Sequence, residues 1–412
     1  MRKLLSSYEG IVGSAVLGQL RQLGEKLAGA SIVHVNSTRE GGGVAEILDW
    51  MVPLMNDAGL SASWEVIHGE PRFFEITKAF HNGLQGHTVP LTMKDWKIYE
   101  DVNEKNFERL RPALEEANFV VIHDPQPAGL LKLCDRRKGK WIWRAHIDIS
   151  RPFRPVWKGL RPFVEKYDAS IFSMAEFAQL LPHPQFLVPP SIDPLSEKNR
   201  ELEPSEIEAV RTEFGLDPSR PLIVQVSRFD RFKDPVGVIA AYRLVRKVAP
   251  VQLVLAGGGA TDDPEGKAVL EDVQEAAGND PDIHVLLLPS GAHRTINALQ
   301  RLADVIVQKS TREGFGLTVT EGMWKGKPVV GGDTGGIRLQ VVNHHTGFLV
   351  NTPEGAAHRI RYFLHNRNRI DEMGSIAREV VRENFLLTRH LRDYLTLMLV
   401  MAKDPRERLL KV

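Results

Sequence analysis

DVIVQKSTREGFGLTVTEGMWKGKPVVGGDTGGI, residues 304–337, is the stretch whose reading decides the fold. Asp304 to Gln308 is apolar and β-branched and predicts a short buried strand. Ser310 to Gly316 predicts a loop, with Gly314 and Gly316 free to take positive φ or to let a ligand approach the main chain. Leu317 to Trp324 predicts a helix, Lys325 to Pro328 ends it, and Val329 and Val330 open the next strand. Strand, glycine loop, helix and strand form the repeating unit of a parallel sheet. The loop lies at the carboxyl end of a strand, where open α/β sheets bind ligands. The N–H groups of Leu317 and Thr318 have no acceptor within the helix and share the positive end of its dipole, a ready anion site. Two carboxylates belong to this unit, Glu313 in the loop and Glu321 about one turn inside the helix. Each alone reads as a solvated charge. Their coincidence with the glycine loop and the helix start favours a binding role.

Outward from that stretch the same alternation repeats. Upstream, Leu222 to Val226 predicts a strand, followed by the basic loop Ser227-Arg228-Phe229-Asp230-Arg231-Phe232-Lys233-Asp234. Arg228 and Lys233 stand five positions apart after that strand, on the same sheet edge as Glu313, where two cations suit a diphosphate. Val236 to Val248 predicts a helix, Gln252 to Ala256 a strand, Gly257 to Gly259 a turn, Ile283 to Leu288 a strand and Thr295 to Ala303 a helix. Downstream come a strand at Gly347 to Val350 and helices at Pro353 to His365 and Arg369 to Glu383. The last helical pattern, Phe385 to Lys403, is half apolar and suited to pack back on the first domain. Pro189, Pro190 and Pro194 followed by the polar run Ser196 to Pro204 read as the linker between two domains. The domains are expected at residues 1–195, joined by the terminal helix of 385–412, and 196–384.

The first half reads likewise. Leu17 to Leu27 predicts an amphipathic helix and Ser31 to Asn36 a strand. Gly41, Gly42 and Gly43 then form a second glycine loop, before a helix over Val44 to Leu60. Neither GxGxxG nor GxxxxGK[ST] occurs, so a dinucleotide site or a P-loop is not indicated. Ala62 to His68 predicts a strand, and the segment FHNGLQG offers His81, Asn82 and Gln85, neutral donors and acceptors suited to sugar hydroxyls. A charged helix follows over Trp96 to Arg111, a strand over Phe119 to His123, a helix over Ala128 to Cys134 and a strand over Lys140 to Ala145. His146 and Asp148 follow that strand, so His146 lies in one row with His123 and the three glycines. A core histidine and a functional one are both open readings there. A helix over Pro155 to Tyr167 and a strand over Ala169 to Phe172 complete the half.

Composition narrows the function classes. A chain of 412 residues exceeds one core. Its 42% hydrophobic and 25% charged content is that of a globular protein. A net charge of +1 gives no reason to propose nucleic acid or an anionic membrane as a partner. The single cysteine, Cys134, rules out an intrachain disulfide and a cysteine zinc site. No run approaches the roughly 18 apolar residues of a membrane span, and the N-terminus reads as a mature cytoplasmic start. Nothing excludes a homodimer. No Asp-x-Asp pair appears in the site regions, so no protein metal site and no tightly bound cofactor is expected. Any Mg²⁺ would ride on a ligand diphosphate.

The paired domains, Arg228 and Lys233 after the second domain's first strand, and the two glutamates of REGFGLTVTE resemble the retaining nucleotide-sugar glycosyltransferases of the GT-B fold. STREGGGVAEIL, FHNGLQG, VIHDPQPAGL and EGFGLTVTEGMWKGKPVVG together resemble their trehalose glycosyltransferring synthase branch. The resemblance implies two Rossmann-like, doubly wound parallel-sheet domains facing across a cleft. It implies transfer of glucose from a nucleotide diphosphate-glucose (UDP, ADP or GDP) to free glucose, giving α,α-trehalose, with the reverse transfer left open. By the same resemblance, Arg228, Lys233 and the N–H groups of Leu317 and Thr318 stabilise the leaving diphosphate, and Glu321 binds ribose. Glu313 holds a donor glucose hydroxyl and supports positive character at the anomeric carbon, with Gly314, Phe315 and Gly316 around it. Gly41, Gly42 and Gly43 close on donor and acceptor. His146 contacts the donor sugar, and His81, Asn82, Gln85 and Asp148 bind sugar hydroxyls. The alternatives are a related transferase with a glucan or sugar-phosphate acceptor, a non-catalytic nucleotide-sugar binding module, and an α/β dinucleotide oxidoreductase.

Overall fold

A computed structural model describes residues 4–40, 42–258, 264–289 and 291–403. The chain forms two compact units, residues 1–191 with 387–412 and residues 192–386. In the first, strands β1 (Ser31–Asn36), β2 (Ser61–Val66), β3 (Phe119–His123), β4 (Lys140–Arg144), β5 (Ala169–Phe172) and β6 (Gln185–Leu187) form one parallel sheet in the order β2-β1-β3-β4-β5-β6. In the second, β7 (Leu222–Val226), β8 (Gln252–Gly258), β9 (Ile283–Leu288), β10 (Val305–Gln308), β11 (Val329–Gly332) and β12 (Gly347–Val350) form another, in the order β12-β11-β10-β7-β8-β9.

These orders matter for function. Each sheet reverses direction once, at β1/β3 in the first unit and at β7/β10 in the second. The loops leaving those strands diverge there and open a crevice at their carboxyl ends. The switch points therefore select the segments after Asn36, His123, Val226 and Gln308. β3 and β7 are buried along their whole length, as central parallel strands covered by helices on both faces must be.

The cores follow from the same layering. Trp141, Trp143, Phe73, Phe80 and Tyr99 are buried within the first unit, and Tyr242, Phe348 and Phe363 within the second. The terminal helix Leu387–Ala402 packs on the helices Ser14–Lys26 and Gly43–Asp57 of the first unit. Among the described residues no helix is long and apolar enough to cross a membrane.

Four segments differ from the sequence reading. The helix expected over 128–134 is only a 3₁₀ turn, Leu130–Leu133. Side chains take the carbonyls just before it: Tyr99 Oη donates to Pro125 O at 2.8 Å, and Tyr167 Oη to Ala128 O at 3.0 Å. The polar run read as linker leads directly into a helix, Pro204–Glu213. Its proline sits in the first turn, and Glu203 and Glu206 form a reciprocal capping box, so the breaker and the charges are start signals. The helix Pro264–Ala277 and the short edge strand β6 have no counterpart in the sequence reading.

Candidate active site

In the second unit the two loops at the switch point are tied together. Asp234 takes a left-handed conformation, φ 49°, and caps the helix Pro235–Arg246 by accepting from Gly237 N at 3.1 Å. Gln225 Nε2, at the end of β7, donates to Lys233 O at 2.8 Å, and Thr311 N donates to Phe232 O at 2.8 Å. Two ion pairs then cross from loop to loop, Lys233 Nζ to Glu313 Oε2 and Lys309 Nζ to Asp234 Oδ2. Ser310 Oγ donates to the same Glu313 oxygen at 3.3 Å.

Glu313 is therefore held, not loose, and its side chain is almost wholly buried. Its carbonyl accepts from Gly336 N at 3.2 Å. A Cβ on Gly335 would lie 1.8 Å from that carbonyl oxygen, and Gly335 has φ 44°, so only glycine fits. The second glycine pair of the opening stretch thus exists to let two backbones touch.

Gly316, with φ 86°, caps the helix Leu317–Trp324. Among the described residues neither Leu317 nor Thr318 donates a backbone hydrogen bond, while Val319 N bonds back to Gly316 O at 2.9 Å. Phe315 is buried with its ring 5.6 Å from that of Phe385, and its carbonyl accepts from Gln340 Nε2 at 2.6 Å. Gly314, Gly316, Leu317 and Thr318 are half-buried. Glu321 is buried, 3.7 Å from Lys198 Nζ and 3.4 Å from Gln300 Nε2. Arg228 is mostly exposed, with a long contact of 3.5 Å to Asp230. The structure thus brings Lys233 and Glu313 into direct contact, while Arg228 makes no contact with either among the described residues.

In the first unit Gly42, with φ 85°, precedes the helix Gly43–Asp57. Gly41 lies outside the described residues. His81 and Asn82 occupy the last turn of the helix Pro71–Leu84, and Gln85 follows it. Phe153 N donates to Gly83 O at 2.8 Å, anchoring the segment after Asp148 on this turn. Asp148 accepts from Ser150 N at 2.9 Å and Ser150 Oγ at 2.6 Å.

His146 is the end of a string. His34 Nδ1 lies 3.0 Å from His123 Nε2, and His123 Nδ1 lies 2.8 Å from His146 Nε2. Asp124, at φ 64°, accepts from His146 N at 2.8 Å. Burial pushes the Asp124 carboxyl up to about 6, opposed by that bond. Burial pushes the His34 imidazole down to about 3 and holds His123, His146 and His390 well below the ordinary histidine range. The nearby Arg144 guanidinium adds to this at His146 and His123. All four rings are therefore neutral at pH 7.

Sequence reasoning missed His34, His390, Lys309 and Lys198. A usable signal existed for the first: SIVHVN, FVVIH and KWIWRAH each bring a histidine to or near a strand end. For the lysines there was none, because their partners are distant in sequence.

Comparison with known proteins bears on the family and the fold. Residues 34–179 match the family model described as trehalose synthase, N-terminal domain, and residues 206–380 match glycosyl transferases group 1. The trehalose synthase of Thermococcus litoralis is 49% identical over 96% of this chain and 97% of its own length. That of Rubrobacter xylanophilus is 44% identical over 96% of both. A solved structure described as trehalose-6-phosphate from E. coli bound with UDP-2-fluoro glucose superposes with a TM-score of 0.75. It covers 92% of this chain and all of that one at 14% identity, a likeness of fold alone. Two six-stranded parallel units, both family models and relatives matched end to end lead to one assignment: the chain has the GT-B fold and belongs to the trehalose synthase family of glycosyltransferases.

Proposed function

We propose that this chain is a retaining glucosyltransferase that moves glucose from a nucleoside diphosphate-glucose to free glucose and yields α,α-trehalose. The carrying observation is the Lys233–Glu313 pair beside the uncommitted N–H groups of Leu317 and Thr318. A carboxylate and a cluster of donors side by side suit a reaction in which positive charge grows at a sugar carbon and negative charge grows on the diphosphate leaving it. In this reading Lys233, Arg228 and the two N–H groups take the diphosphate, and Glu321 takes the ribose hydroxyls. Glu313 binds a glucose hydroxyl next to the anomeric centre, with His146 serving the same sugar. The bond from C1 to the diphosphate oxygen breaks, C1 bonds to the acceptor hydroxyl oxygen, and the hydroxyl proton leaves with the diphosphate. Glu321, committed to ribose, is not the second carboxylate that a retaining hydrolase needs.

One observation favours free glucose over a sugar phosphate. Arg39 is the cation next in sequence to the glycine loop of residues 41–43, and its guanidinium stacks on the Trp64 ring, 4.2 Å from the centroid. Trp64 is itself fixed by donating to Asn36 Oδ1 at 2.8 Å. The test supplies glucose, glucose 6-phosphate or a glucan with each nucleotide-glucose and analyses products. A non-reducing disaccharide from glucose is expected. Glu313→Gln should retain donor binding and lose turnover by about a hundredfold or more. Product from the phosphate or glucan alone would replace the proposed acceptor, and binding without any nucleotide release would make the chain a binding module.

A further inference from the structure

The string of histidines has a geometric origin. In the sheet register His34 of β1 stands opposite Val121 of β3, and His123 of β3 stands opposite Arg144 of β4. Each next histidine lies two residues beyond the register partner of the last. An offset of two keeps a side chain on the same face of a sheet. The three rings therefore step diagonally across β1, β3 and the loop after β4. Ring centroids are 5.3 Å and 5.2 Å apart. No group of three or more metal-ligating side chains suited to an ion occurs among the described residues, so the string is not a metal site.

Neutrality then imposes a direction. Each neutral imidazole has one N–H and one bare nitrogen. His123 uses both nitrogens, so it donates on one side and accepts on the other, and both ring-to-ring bonds run the same way. Only two states exist. Either Nδ1 of His146 carries a proton and Nε2 of His34 is bare, or the reverse holds. The two ends of the string differ in burial: His34 is 1% exposed and its Nε2 has no partner among the described residues, whereas His146 is half-buried, and the cavity beside all three rings is walled by Val44, Ile47, Met51, His390 and Tyr394. His390 Nε2 is buried there without a partner among the described residues as well, its other nitrogen being 2.8 Å from Ser191 Oγ. A stranded N–H is the rarer defect in protein interiors, a stranded acceptor the more tolerated one. The fully buried His34 end thus keeps the bare nitrogen, and the half-buried His146 end carries the proton.

We infer that His123 and His34 are positioning residues that fix His146 as the Nδ1–H tautomer, so that the half-buried imidazole presents a hydrogen-bond donor to a hydroxyl of the donor sugar. The direction is His34 Nδ1–H to His123 Nε2, then His123 Nδ1–H to His146 Nε2. The inference rests on the proposed function for what His146 meets, but the tautomer itself does not.

Two measurements decide it. Long-range ¹H–¹⁵N spectra of the ¹⁵N-histidine-labelled full chain, without substrate, should show Nδ1–H for His146, His123 and His34. An Nε2–H signature at His146 overturns the inference. In kinetics, His123→Phe should lower kcat by about ten- to a hundredfold, as loss of an outer partner of a functional histidine typically does, with KM for the nucleotide-glucose nearly unchanged. His123→Gln, whose amide still donates to His146 Nε2, should recover most of that loss. Equal loss in both variants, or full kcat in His123→Phe, overturns it. Should the wild type transfer no glucose, the proposed function falls alone, and the ring spectra still decide the tautomer.

Discussion

Lys325 offers a sharp test because its charge is at odds with its surroundings. It is 6% exposed at the end of the helix that carries Glu321. Its Nζ donates to Asn199 Oδ1 at 3.1 Å and to Glu321 O at 3.3 Å. Burial pushes its amine from 10.5 down to about 7, with the Glu321 carboxylate pulling the other way. That displacement penalises the charged form by roughly 5 kcal/mol. The two hydrogen bonds return roughly 2–3 kcal/mol. Lys325→Met should therefore stabilise the second unit by roughly 2–3 kcal/mol at pH 6, near 4–12 °C in Tm at about 2–4 °C per kcal/mol. The folded amine has the lower pKa, so between pH 7 and 10.5 the folded state binds fewer protons than the unfolded one. Wild-type stability from this group rises with pH across that window and is flat below it. The advantage of methionine should thus be greatest below pH 7, reach zero near about pH 8–9, where the remaining penalty equals the hydrogen bonds, and reverse above that. Scanning calorimetry of both proteins at several pH values measures this. Nucleoside diphosphate affinity should stay within about threefold, because Glu321 keeps Lys198 and Gln300. An unchanged or lower Tm at pH 6, or an advantage that grows with pH, would refute the argument.

Two further substitutions separate the site from its scaffold. Gly335→Ala places a methyl group on the Glu313 carbonyl at a left-handed backbone position, and should cost more than about 2 kcal/mol and most of the activity. Thermal melts and product assays on one preparation read both losses together. Arg228→Ala removes a side chain that is 73% exposed, so Tm should not move, whereas calorimetric affinity for a nucleoside diphosphate should fall about tenfold or more. Unchanged affinity would return Arg228 to the status of a solvated charge.

Local signals made the centre of the second unit legible. Residues 304–337 carried β-branched strand residues, glycines where the chain must turn, and a helix that spans Leu317–Trp324 in the structure as in the reading. The helix Pro204–Glu213 was hidden because proline and glutamate serve both loops and helix starts, and only the reciprocal bonds of Glu203 and Glu206 distinguish them. At the site, Lys233 and Glu313 were legible from strand-end position, since a separation of 80 positions does not matter once both loops leave adjacent strands. Lys309–Asp234 and the histidine string were not. They depend on sheet register and on the terminal helix that brings His390 and Tyr394 to the cavity, and neither is written in local pattern.

That terminal helix imposes an order of assembly. A polypeptide leaves the ribosome from its first residue onward. The unit built from 192–386 is continuous and has all of its chain once Leu386 has emerged. The unit begun at the N-terminus stays open until Leu387–Ala402 arrives, so the half made first is the half finished last. A nascent chain therefore holds a complete second unit before the wall of the imidazole cavity closes, and the histidine cluster is complete only once Leu387–Ala402 has emerged.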